Sequence, residues 1–377
     1  MASVGAPPSA AAALPPGLRE RLNERADPSG FIPFDRFMDV ALYDPEVGYY
    51  AGANSPLGPA GDFYTAGHVS PLFAATLARR IVQGLAALPP GPPPAVFEVG
   101  PGDGSIAAGV IASLARSPGV GPIEYRLVER SERRAAEAYD RARAAAEGTA
   151  VRVRRSASVG ADGPFRGVGF ANELLDAFPT RRLRSAGGGW RELGVRVEGD
   201  RLVPAEASPG PIGPIPRLPT GLEDGVVVEF SPAAEGWLRE VADHLTEGEL
   251  LLIDYGMSEA ELLRAHPSGT LESLRAHRFV DDPLASPGRV DLSCFVNFDR
   301  LRRVAAAAGW TEVAFRAQSE ALGAWGFPAL LEAAIAAAGS AEAEVRTRLA
   351  AKNLVFGFDR FRVLELATTR RLRSGSA

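Results

Sequence analysis

The segment Val96-Phe97-Glu98-Val99-Gly100-Pro101-Gly102-Asp103-Gly104-Ser105 decides how this chain is read. A short apolar run leads into alternate glycines, and a helix start follows. Ala95 to Val99 predicts a strand, and Ser105 to Ala115 predicts a helix. The glycines let the backbone turn tightly and approach a ligand with no Cβ in the way. The helix start adds N–H groups that have no intrahelical partner. A dinucleotide fingerprint reads G-x-G-x-x-G, whereas the spacing here is G-x-G-x-G with Glu98 just ahead of it. By itself the loop is a nucleotide-site pattern, and a plain strand-to-helix turn is its alternative.

Outward from this loop the pattern alternates. Glu124 to Glu129 reads as a strand, Ser131 to Glu147 as a helix, and Val151 to Arg154 and Gly167 to Asn172 as strands. Such alternation predicts an α/β fold with a mostly parallel sheet covered by helices on both faces. Ahead of the loop, Leu72, Phe73, Leu77, Ile81 and Leu85 give one apolar helical face, with Pro71 at the first position and Ser70 as cap. Behind it, residues 177–230 read as a β-rich insertion with glycine turns. Glu249 to Asp254 reads as a buried strand and 269–297 as a long irregular loop, a length that is usually functional. Ala-rich helices are expected over 328–351 and a last strand from Val355 to Leu366. The expected organisation is a disordered tail (1–16), an N-terminal helical segment (17–94), the main domain (95–366) and a C-terminal tail (367–377).

Composition narrows the functions. Of 377 residues, 41 are basic and 46 acidic, a net charge of −5, which opposes a general nucleic-acid binder. The Arg/Glu/Ala stretch from Ser131 to Glu147 interleaves both signs, so a solvated, salt-bridged face is its better reading. Cys294 is the one cysteine, there are four histidines, and no H-E-x-x-H occurs, so no metal centre is expected. No apolar run reaches about 18 residues, so no membrane span is expected. The start lacks the basic residues of a targeting peptide. Lys352 is the sole lysine in an Ala/Gly/Pro-rich chain, a composition suggesting a GC-rich genome and a bacterial cytoplasmic protein.

The G-x-G-x-G turn after Glu98 resembles motif I of the class I S-adenosylmethionine (SAM) methyltransferases. In that class a second acid ends the next strand and accepts from the ribose hydroxyls. Glu129 stands there, after Tyr125-Arg126-Leu127-Val128. Further motifs occur in order: Leu42-Tyr43-Asp44-Pro45-Glu46-Val47-Gly48-Tyr49-Tyr50, Gly61-Asp62-Phe63-Tyr64-Thr65, Ala171-Asn172-Glu173-Leu174-Leu175-Asp176-Ala177-Phe178-Pro179 and Ile253-Asp254-Tyr255-Gly256. His277-Arg278, Asp281-Asp282-Pro283-Leu284, Pro287-Gly288, and Gln318 with Leu322-Gly323 follow. Together, over about 37–327, they look like the MidA family, whose mitochondrial members assist respiratory complex I assembly. The resemblance implies a SAM-dependent methyltransferase, with S-adenosylhomocysteine as product and a protein, by analogy arginine, as acceptor. It implies cofactor contacts from Glu98, Gly100, Pro101, Gly102, Gly104, Glu129, Arg130, Thr65 and Asn172. It also suggests that the segment carrying Asp62 and Thr65 lies over the cofactor.

An acceptor must be aligned, desolvated and relieved of a proton. Glu173 and Asp176 are the candidates for orienting it, and Asp62 and His68 are further catalytic candidates. Capping of the following turn is the alternative for Asn172 and Asp176, and an Asx turn is the alternative for Asp62. The chain also departs from the family pattern. Ala66-Gly67-His68 replaces Ser-Pro-Glu, Phe295 replaces a His, and Asn297 replaces an Asp. If those positions face substrate, the substrate differs. A small-molecule O- or N-methyltransferase, a non-catalytic assembly factor and a nicotinamide dehydrogenase therefore stand as rivals, and a homodimer is one admissible assembly.

Overall fold

Eight strands, buried at the centre and more polar at the edges, form the main sheet of the computed structural model, which describes residues 14–50, 70–211, 218–275 and 278–368; the shortest, Val296–Asn297, pairs only with the end of one neighbour. The chain folds as two units. One comprises Met1–Pro56, Phe178–Pro232 and Leu263–Cys294, and the other Leu57–Ala177, Ala233–Leu262 and Phe295–Ala377. The 17–94 stretch is thus shared between them.

In the larger unit, helix α1 (Pro71–Ala86) precedes strand β1 (Ala95–Val99). Helix α2 (Ser105–Leu114), β2 (Ile123–Val128), α3 (Glu132–Ala146), β3 (Val151–Ser156) and β4 (Phe165–Asn172) follow. Beyond α4 (Pro232–His244) come β5 (Leu245–Met257), α5 (Phe298–Ala307), β6 (Trp310–Ala317), α6 (Gln318–Ala324) and β7 (Phe361–Thr368). The strand order is β6-β7-β5-β4-β1-β2-β3. The strands β5, β4, β1, β2 and β3 run parallel, and β7 is antiparallel to both β5 and β6. The chain moves outward from β1 to β3, then returns to β4 on the other side of β1. That reversal is a topological switch point, where ligands of open α/β sheets bind.

Local chemistry explains the elements. The Ser70 hydroxyl accepts from the Leu72 N–H at 3.1 Å, and the predicted face of α1 buries Phe73, Leu77 and Ile81 fully. Gly169 in β4 leaves room for a ring on β1: a Cβ there would fall 1.9 Å from Phe97. In the smaller unit the insertion is β-rich as expected. Arg181–Ala186, Gly189–Glu198, Arg201–Ala207 and Val227–Phe230 form one sheet with Ile32–Pro33. The N-terminal segment therefore also contributes a strand.

Two expectations need correction. The last strand does not begin at Val355. A helix runs Ala341–Phe356, because Leu354 is buried from it and Gly357 closes it by donating to the Asn353 carbonyl at 2.7 Å. The 269–297 stretch is not irregular throughout. Glu272–Arg275 pairs with Arg278–Phe279 and with Asp291–Ser293, and the Tyr50 hydroxyl donates to Asp291 at 2.7 Å.

A buried ion cluster ties α1 to the sheet. Arg80 donates to Glu249 at 2.6 Å and to Glu365 at 2.9 Å, and Trp325 donates to Glu365 at 3.3 Å. Removing a buried cation strands the charges it compensates. Arg80→Met should therefore lower stability by about 3–5 kcal/mol in urea unfolding monitored by circular dichroism. An unchanged midpoint would show that the carboxylates are compensated without it.

Candidate functional site

The carboxyl ends of β1, β2, β4 and β5 gather the chemistry. After β1, Gly100, Gly102 and Gly104 take φ values of 70°, 58° and 78°, a region L side chains rarely enter. Space imposes glycine as well. A Cβ on Gly100 would stand 2.8 Å from Leu174 Cδ1, and one on Gly104 would stand 2.8 Å from the Ala138 backbone of α3. Pro101 is buried within the turn and accepts from the Gly104 N–H at 2.8 Å. Asp103 accepts from the Ser105 N–H at 2.9 Å and its hydroxyl at 2.8 Å, and Arg141 of α3 pairs with Asp103. Arg141 was read as part of a solvated face. Its clamp on the turn depends on how α3 packs, which no local pattern reveals.

The two acids of the pattern differ in setting. Glu98 is 2% exposed and accepts from the Tyr125 hydroxyl of β2 at 2.6 Å. Burial pushes its pKa to about 8, against the opposing Tyr125 hydrogen bond. Glu129, just past β2, is half-buried and accepts from the Ser131 N–H at 2.8 Å. Burial raises its pKa too, while Ser131, Arg134 and Arg130 hold it down. Arg130 itself is exposed.

At the end of β4, Asn172 is buried and donates to Glu173 at 3.0 Å. Its Oδ1 has no hydrogen-bond partner among the described residues. Glu173 is the one non-glycine with positive φ among the described residues, at 52°, and its N–H donates to Ile253 O at 2.9 Å. Such strain persists where surrounding structure over-determines it, and clusters at functional sites. The surrounding structure is Asp254. Its Oδ2 accepts from the N–H groups of Leu174 (3.0 Å) and Leu175 (2.7 Å), and its Oδ1 accepts from that of Tyr255 at 2.9 Å. Asp254 therefore performs the capping that Asn172 and Asp176 were candidates for. Asp176 is buried and accepts a hydrogen bond from the Tyr255 hydroxyl. Burial, then the neighbouring Asp176, raises the Asp254 pKa well above the carboxylate range.

The departures from the family pattern resolve unequally. Asn297 caps α5, accepting from the Arg300 N–H at 3.0 Å, and donates to Glu259 at 3.2 Å. Its change from Asp is a local capping matter. Phe295 packs edge-on against Tyr255 at 5.4 Å, beside the Tyr255–Asp176 pair. Cys294 is a buried small residue, as expected. Asp62, Thr65, His68 and His277 lie outside the described residues.

The strand order, switch point and glycine turn define a SAM-methyltransferase class of α/β protein. The unpartnered Asn172 oxygen and the glycine cradle fit a ligand rich in hydrogen-bond donors. Comparisons agree. The profile of a family described as "Putative S-adenosyl-L-methionine-dependent methyltransferase" matches residues 76–315. The chain belongs to this family, and it is a SAM-dependent methyltransferase. A superfamily member from Burkholderia thailandensis, crystallised with S-adenosyl-homocysteine bound, is 31% identical. That match has a TM-score of 0.82 and covers 93% of this chain and 91% of the other. The mitochondrial protein arginine methyltransferase NDUFAF7 of Danio rerio is 26% identical over 308 residues, covering 74% of this chain and 69% of its own. The Drosophila melanogaster homologue is 24% identical, covering 78% and 70% respectively.

Glu98 has a pH signature. Its folded pKa of about 8 lies above the ordinary value of 4.5, so the native state retains a proton that the unfolded chain releases. Its contribution to stability is full below pH 4.5 and is lost as pH rises through 8. Glu98→Gln should therefore gain stability relative to wild type across that window, by a few kcal/mol. Urea titrations of both proteins at several pH values measure the difference. A constant difference would mean that Glu98 titrates normally.

Proposed function

We propose that the methyl acceptor is an arginine side chain of a protein. The observation that carries this is the carboxylate group at the ends of β4 and β5, with Glu173 held in a left-handed backbone beside the Tyr255–Asp176 pair. A guanidinium offers a planar fork of donors that carboxylates match. The names of the NDUFAF7 relatives support the same class of acceptor.

S-adenosyl-L-methionine, when bound, supplies a methyl group already activated on sulfur. The remaining work belongs to the chain. The backbone of Gly100–Gly104 would lie against the cofactor, the Glu129 carboxylate would hold its ribose hydroxyls, and the Asn172 Oδ1 would accept from its ammonium group. The Glu173 carboxylate orients the guanidinium for in-line attack and takes the proton released as the new N–C bond forms and the methyl–sulfur bond breaks, with S-adenosylhomocysteine as the leaving group. Asp176, hydrogen-bonded to Tyr255, borders the same place, and Asp254 keeps the loop in register. Phe295 makes one wall apolar. That observation favours a second reading, a small apolar acceptor methylated on oxygen or nitrogen. The arginine-for-lysine composition and the Burkholderia relative favour a bacterial source.

The first test is calorimetric titration with S-adenosylhomocysteine. Glu129→Ala should bind about tenfold or more weakly, since charge-assisted hydrogen bonds contribute roughly 1.5–3 kcal/mol. A folded wild type that binds neither SAM nor its product would favour action by docking alone. The second is radiolabelled methyl transfer to arginine peptides. Glu173→Gln should lower kcat by about a hundredfold or more, with S-adenosylhomocysteine affinity retained. Transfer only to small acceptors would replace arginine with the second reading.

A further inference from the structure

The amino edge of the main sheet carries a cavity of about 260 Å³, at the opposite end of β5 from Asp254. Leu245, the first residue of β5, Trp310, the first of β6, and Thr368, the last of β7, all line it. At about 3.3 Å per residue Leu245 stands roughly 30 Å from Asp254, so the cavity is separate from the methyl-transfer site. It is open to solution. Asp243 and Thr246 are exposed at its rim, while Trp310 is buried at its floor.

Two helices end at this cavity. α4 runs straight into β5 with Asp243 in its last turn, and α5 stops at Ala307, with Ala308 and Gly309 also lining the cavity. The helices lie side by side and point the same way. Arg300 in the first turn of α5 pairs with Glu235 in the first turn of α4, and the Trp310 indole N–H, just past α5, donates to the Leu238 carbonyl of α4 at 3.5 Å. The last carbonyls of a helix lack intrahelical partners, and together they act as about half a negative charge. A cation is favoured beside them and a carboxylate is not. Asp243 nonetheless stands there, and among the described residues no cation pairs with it. Its neighbours are engaged elsewhere: Arg239 pairs with Glu235, and the His244 ring bonds back to the Glu240 carbonyl at 2.8 Å.

The lining sets the class of ligand. The Thr246 hydroxyl donates to the Phe165 carbonyl at 3.0 Å, so only its lone pairs remain to offer. Trp310 supplies an indole, the ring that attracts cations best. A hard metal ion takes about six oxygens, and here a single carboxylate stands among alanine, leucine and tryptophan side chains. We propose that the cavity binds a small organic cation, an alkylammonium or alkylguanidinium. Its charge would sit between Asp243 and the two helix ends, and its apolar stem against Trp310.

Calorimetric titration of the full-length protein with n-butylammonium and n-butylguanidinium chlorides tests this, with n-butanol and potassium chloride as neutral and ionic controls. At least one of the two organic cations should bind saturably, with a Kd of about 10 mM or below, and neither control should. Asp243→Asn should weaken that binding tenfold or more and leave S-adenosylhomocysteine affinity unchanged. The same change should raise the melting temperature of the ligand-free protein by about 1–3 °C, because it removes a negative charge from beside two helix ends. No saturable binding by either cation would overturn the proposal, as would binding that survives Asp243→Asn. A fall in melting temperature would mean that Asp243 serves the fold, and would overturn it too. Saturable binding seen only after Arg370→Gln and Arg371→Gln would give the cavity to the chain's own arginines and overturn a ligand from solution.

Discussion

The carboxylate of Asp254 holds the site's second half together. It accepts three backbone N–H groups, two from the loop after β4 and one from its own neighbour Tyr255. Two adjacent parallel strands are thereby joined at their carboxyl ends. The loop cannot relax without giving up those bonds, which is how Glu173 can sit at a φ of 52°. The same bonds favour the ionised carboxylate, while burial and the nearby acids oppose it.

The two halves of the site are built on different principles. On the β1 side, backbone geometry dominates. Positive-φ glycines and the close approaches to Leu174 and Ala138 leave little freedom in what can stand there. On the β4 and β5 side, side-chain chemistry dominates, with Asn172 bonded to Glu173 and Tyr255 bonded to both Asp176 and Asp254. A scaffold of the first kind suits a ligand common to a family, and the second kind can vary with the acceptor. The replacement at Phe295 falls on this second half, against Tyr255.

Much of this was legible in the chain. The β1 strand and the glycine turn emerge as read, because apolar runs and glycine spacing are local signals. The Ser70 cap and the face of α1 are local signals too. Other features were not legible. Asp254 and Asp176 are both acids after apolar strands, and only register shows that the first caps a loop while the second meets Tyr255. Asn297 looked like a change at a substrate position and is a helix cap. Arg141 is exposed and ion-paired, as the mixed charges of its helix suggested, but its partner Asp103 stands in the glycine turn, which the spacing did not show.

The sequence alone therefore determined the α/β class, the cofactor turn and the acids that end the strands, since each rests on contacts between residues close in the chain. Tertiary structure decided which carboxylate is consumed by backbone N–H groups and which borders open chemistry. Those properties depend on partners between about 80 and 285 residues away, as Asp254 with Leu174 and Arg80 with Glu365 illustrate. Spacing along the chain carries no record of such distant pairings. They arise only when the strands take their places in the sheet.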